Sequence, residues 1–173
     1  MVAAVIREWI VPGLATAMVA WIVIPAPPAL PEYYAIHAVA EHRSCALENA
    51  ARPGEGSLYS TDDFAALIPD FGGRMHVVKA HRYDHSIDST HVIVEEDGGP
   101  RASIFIARAS EGGEQLVGPE TRDGFEVSQV RTTRHRAVVV IDRDRARALR
   151  DWRRVTLERL QRSFKQLEGT ATS

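Results

Sequence analysis

The sequence has a single cysteine, Cys45, which excludes an internal disulfide framework and any zinc module built from cysteines alone. Its net charge is only −2 over 173 residues, which excludes a globally basic nucleic-acid binder. There is no P-loop, no G-x-G-x-x-G turn, no G-x-S-x-G elbow and no H-E-x-x-H helix. The carboxylates are scattered, so none pairs with another as an acid–base couple, and no family-specific catalytic signature surrounds Cys45. The chain is therefore read as not an enzyme, with no small-molecule substrate identified. Repeats and heptads are absent, and 12 Gly with 9 Pro leave no room for a collagen-like or low-complexity reading. What remains is 45% hydrophobic and 25% charged, a composition that folds, at a length that suits one ordinary domain.

Charge is missing altogether from residues 9–31, and residues 9–24 read WIVPGLATAMVAWIVI. A spanning helix needs about 20 apolar residues, within a range of about 17 to 25. The tract reaches that length when residues 2–6 join it and Arg7 snorkels to the headgroups. Pro12 is tolerated in a first helical turn, and Trp9 and Trp21 suit the two interfaces. A cleaved signal peptide is the competing reading, but PAPPALPEYY at 25–34 offers no clean A-x-A site, so an uncleaved anchor is expected. Arg7 flanks the tract and the next Lys or Arg is Arg43, which puts the N-terminus in the cytoplasm and the main domain in the periplasm or another extracytoplasmic space. Residues 1–31 are thus an anchor with a stiff proline-rich spacer, PAPPALP, and residues 32–173 an extracytoplasmic domain.

Charge is also unevenly spread. Residues 1–130 carry 18 acids against 9 Lys or Arg, and residues 131–173 carry 5 against 12. The basic end is read as a solvated helix face that partly neutralises an acidic body. Nucleic acid is not expected as a partner.

Along the domain, a helix is expected over residues 32–48, broken by ARPGEG at 51–56, then a short helix to Leu67 capped by Ser60 or Thr61. Strands are expected over 75–80, 91–95, 102–107, 125–133 and 136–141, with EDGGP at 96–100 as a hairpin connection. A long helix closes the chain, capped by Asp142 or Asp144, with Leu149, Trp152, Val155, Leu160, Phe164 and Leu167 on its apolar stripe. The fold class is α+β: a single N-terminal transmembrane helix, then an antiparallel sheet of about five strands packed by helices, the C-terminal one longest.

Histidine is the distinctive residue: His37, His42, His76, His81, His85, His91 and His135. His42 and Cys45 are three apart on the expected helix and share a face, and imidazole and thiolate are donors that zinc and copper favour. His81 and His85 point the same way on a strand, and His91 and His135 begin the two most apolar strands, where they can converge at one end of a sheet. His76 is expected in or beside the core. The candidate metal ligands are His42, Cys45, His81, His91 and His135, and the candidate cofactor is zinc or copper.

HAVAEHRSCAL at 37–47 resembles the opening of the extracytoplasmic domain of certain membrane-anchored bacterial anti-sigma factors, where an A-x-x-H-x-x-C-A-like motif follows the transmembrane helix; Ala38, Glu41, His42, Cys45 and Ala46 fit it. THVIVEEDGGPRASIFIA at 90–107 resembles that family's hairpin, and residues 124–152 resemble its closing strand–turn–strand–helix pattern. Two features depart from it. Fewer than ten residues precede the apolar tract, where the family carries a cytoplasmic H-x3-C-x2-C zinc module, and HRYDH at 81–85 stands near the place of a second cysteine in some relatives. The resemblance implies a sensory outer half without the inner effector. The expected function is a membrane-tethered sensory or ligand-binding domain that responds to metal or redox state and acts with a membrane protein partner. The alternative is a structural accessory subunit of an envelope complex, its helix packing through Gly13, Ala15, Ala17 and Ala20.

Overall fold

A computed structural model describes residues 30–47, 68, 70, 72–83, 89–109 and 113–170. The apolar tract at 9–24, the short helix expected before Leu67, and His85 all lie outside the described residues. No helix among the described residues is long and apolar enough to cross a membrane.

The architecture is α+β, with a six-stranded antiparallel sheet and a long C-terminal helix. Helix α1 (Leu30–Glu41) runs directly into a π-helical turn (His42–Leu47). The strands are β1 (Met75–Tyr83), β2 (Ser89–Glu96), β3 (Arg101–Arg108), β4 (Gln115–Arg122), β5 (Phe125–Arg131) and β6 (His135–Asp142). A short helix α2 (Arg143–Ala146) and the 21-residue α3 (Arg150–Thr170) follow. The spatial order β1-β2-β3-β6-β5-β4 sets two three-stranded meanders side by side, joined where β3 pairs antiparallel with β6.

Hairpin chemistry fixes the register. Asp123 and Gly124 both have positive φ, 50° and 88°, as a two-residue turn with the twist of its strands requires. Between β2 and β3, Gly98 takes φ 59° and the Gly99 N–H donates to the Glu96 carbonyl at 2.6 Å.

Both faces of the sheet are covered. On one face α2, α3 and the turn between them bury Ala146, Leu149, Trp152, Leu157, Leu160 and Phe164 against Val92, Ile104, Val139 and Ile141. On the other, Ala35, Ala38 and Val39 of α1 pack on Phe105, Phe125, Val127, Val138 and Val140. Side chains alternate between faces along a strand, so a central strand covered on both sides must be apolar at every position. That accounts for the unbroken run Ala137–Ile141, every residue of which is buried.

Three expectations change. The sheet has a sixth strand, β4, which is almost wholly exposed and lies at an edge. The closing helix is two helices: Asp142 stands at the N-cap position of α2 as expected, without a side-chain cap hydrogen bond, and Asp144 lies inside α2. The stripe of α3 buries Thr156 and Leu157, whereas Leu167 is exposed.

A candidate metal centre between the first helix and the sheet

The π turn brings the chain down onto the sheet beside β3. Arg101 fastens it there: its Nη1 donates to the Ala46 carbonyl at 2.9 Å and its Nε to Glu95 at 2.6 Å, which satisfies a carbonyl at the helix end. Cys45 and Ala46 pack on Ile93 of β2.

On the sheet, β1 and β2 pair with His81 opposite His91, ring centroids 4.8 Å apart. A bulge between Val77 and Lys79 makes this possible. Val77 packs with the α3-side core, and the extra residue then sends Lys79 and His81 to the α1 side, next to His91. One strand further on, His91 stacks on Phe105 at 4.2 Å between centroids.

Glu41, Cys45, His81 and His91 meet in this layer. One donor atom from each lies within 4.8 Å of all the others, and all four residues are buried. The Cys45 Sγ and His81 Nε2 are 3.7 Å apart. Two ligands of a tetrahedral zinc, one sulfur and one nitrogen, stand about 3.6 Å apart when the bonds are about 2.3 and 2.05 Å. The Cys45–His81 pair therefore already has a ligand-to-ligand separation. Lys79 Nζ also donates to Cys45 Sγ at 3.7 Å, which sets a positive charge beside the sulfur.

Burial keeps His91, and His42 beside it, in the neutral form. His42 is lowered from 6.5 to about 4 because burial penalises its charged form. His91 is held well below the ordinary histidine range by burial first, and then by the neighbouring His81, His42 and Lys79. Neutral imidazole offers a lone pair, which imidazolium lacks. The donor set of one sulfur, two imidazoles and one carboxylate can hold a metal ion.

Cys45, His81 and His91 of the expected ligands thus come together. His42 lies beside them: its Nδ1 is 2.7 Å from Ser103 Oγ, and its ring meets Phe125 edge to face. His135 belongs elsewhere. It stacks on Phe164 of α3, and its Nδ1 is 3.0 Å from Glu168, on the side of the sheet away from the cluster. The odd and even positions of β6 face opposite layers, which separates it from His91. His76 is outside the core, with 47% of its side chain exposed and Asp97 at 3.5 Å.

Sequence reasoning missed Glu41, Lys79 and Ser103 as parts of this site. Glu41 carried a usable signal, since it stands four residues before Cys45 on one helical face. Lys79 and Ser103 carried none, because the bulge and the strand pairing that bring them in are not visible as spacing. No family model, no curated protein and no solved structure matches the chain.

Proposed function

We propose that the chain is a membrane-tethered extracytoplasmic sensor domain, and that metal occupancy of the Glu41–Cys45–His81–His91 cluster is the state it reports to a membrane partner. The observation that carries this reading is the origin of the donors. Glu41 and Cys45 come from α1 and its π turn, His81 and His91 from the β1–β2 hairpin. A metal held by all four would tie the helix nearest the apolar tract to the sheet, so occupancy would change how firmly the tether is coupled to the domain. The uncharged stretch at 9–31 and its proline spacer, read as anchor and standoff, support the tethering. The resemblance of residues 37–47 to the extracytoplasmic part of membrane-anchored anti-sigma factors supports a signalling role.

The metal proposed is zinc. A single thiolate with a hard carboxylate suits Zn(II) better than Cu(I), which selects sulfur-rich sites. The test is metal content and zinc titration of the full chain in detergent, with Cys45→Ala and His81→Ala in parallel. One tightly bound zinc per chain, lost in both variants, is expected. A metal-free protein with no zinc affinity, co-purifying in stoichiometric amount with a membrane subunit, refutes the sensor reading and favours the accessory-subunit one.

A further inference from the structure

Ser103 lies on β3 with no exposure, between two histidine rings that are equally buried. Its Oγ is 2.7 Å from His42 Nδ1 and 2.8 Å from His91 Nε2. Among the described residues, the other nitrogens of these rings, His42 Nε2 and His91 Nδ1, are buried without a hydrogen-bond partner. A hydroxyl has one proton to donate. The chain His42–Ser103–His91 therefore has a direction: Ser103 donates to one ring and accepts from the other. Which way it runs decides which nitrogen of each ring carries the proton.

We propose that Ser103 is the positioning residue of the metal centre, holding His91 as the tautomer that ligates through Nδ1 and thereby fixing the tautomer of His42. This rests on the metal reading above. His91 Nε2 is taken by Ser103, so Nδ1 is the donor atom left for a metal. A neutral ring that ligates through Nδ1 carries its proton on Nε2, and that N–H donates to Ser103 Oγ. The Ser103 hydroxyl then donates to His42 Nδ1, and His42 holds its own proton on Nε2. In the opposite direction, His91 would carry its proton on Nδ1 and could not ligate there. The hydrogen-bond partner of a ligating histidine sets ring orientation and basicity, and its loss costs about 10- to 100-fold in metal affinity. His42 is in this way tied to the centre without being a ligand, which explains a buried histidine with one partner on the π turn that also carries Cys45.

The experiment uses the full chain in detergent micelles, labelled with 15N-histidine and titrated with zinc. Long-range proton–nitrogen spectra read the protonated nitrogen of each ring. In the zinc-loaded protein, His91 is expected to be protonated at Nε2 with zinc on Nδ1, and His42 to be protonated at Nε2 with a bare Nδ1. Ser103→Ala is expected to weaken zinc binding by about 10- to 100-fold and to release His42 from its single tautomer, while Ser103→Thr, which keeps the hydroxyl, retains both. Zinc on His91 Nε2, or His42 protonated at Nδ1 in the loaded protein, overturns the proposal and leaves the metal reading standing. So does Ser103→Ala binding zinc as the unmodified chain does. A chain that takes up no zinc overturns both together.

Discussion

Acid should weaken this fold earlier than carboxylate protonation can explain, and His42 gives the size of the effect. The folded ring is lowered from 6.5 to about 4 by burial. Between those values the unfolded chain binds a proton that the native chain refuses, so stability falls as pH falls. The contribution is whole above pH 6.5 and is lost progressively toward pH 4. The fall from 6.5 to about 4, at about 1.4 kcal/mol for each tenfold change in proton affinity, amounts to about 3 kcal/mol. The His42 side chain has no exposure, so water does little to soften this cost. His91 acts in the same direction for the same reason. A typical domain has about 5 to 15 kcal/mol in total, so the loss is a large fraction of it. Urea unfolding of the chain in detergent, with a chelator present and the sheet followed by circular dichroism, should show the midpoint dropping steadily between pH 6.5 and 4.5. Zinc should restore it at the upper end of that range, where ligation competes with protons. His42→Gln should flatten the slope. A midpoint independent of pH across this window, or a slope untouched by His42→Gln, refutes the reasoning.

Other consequences are open to direct measurement. Glu168 accepts hydrogen bonds from the Thr132 hydroxyl and the Arg134 N–H and faces His135, and these, Thr132 foremost, hold its carboxyl down to about 2. Its share of stability is present above pH 4.5 and lost as pH falls toward 2, so a carboxyl titration by NMR should find it ionised well below its peers, and Glu168→Gln should remove that loss. Leu160→Ala, at a site with no exposure under the sheet, should cost about 2 to 5 kcal/mol in urea unfolding. Gly124→Ala, at φ 88°, should cost about 1 to 2 kcal/mol by the same assay, from strain in the turn. In zinc titration, Glu41→Gln should weaken binding, whereas His135→Ala should leave it unchanged, since His135 sits with Phe164 and Glu168.

The sheet was legible where burial leaves a mark on composition. Residues 137–141 read as a central strand because a strand covered on both faces has no polar position to give away. Strand β4 left no such mark. It is an edge strand with an exposed surface, and its Gly118-Pro119 pair falls within the register shift between Val117 and Glu120, where a proline does no harm to the ladder. The closing helix was legible from its period, but not its break at 147–149, because the apolar spacing resumes at Leu149 as if nothing had intervened.

The site shows a different limit. Reading His42 and Cys45 as a pair assumed an α-helix, in which residues three apart share a face. The π turn widens the spiral to i→i+5 bonding. Residues four apart already align more closely than residues three apart in an α-helix, and the π turn widens that difference, so Glu41 joins Cys45 in the cluster and His42 turns toward Ser103. On the sheet a single extra residue does the same work. Counting by twos from Val77 would put His81 on the α3 side, and the bulge before Lys79 moves it across to face His91. Both irregularities sit where a regular element must hand a polar side chain into a buried layer, and neither has a spacing that composition records. The sulfur and imidazole donors were therefore readable from the sequence, while the separation of His42 from Cys45 and the arrival of His81 beside His91 depended on two departures from ideal period that only the packed structure fixes.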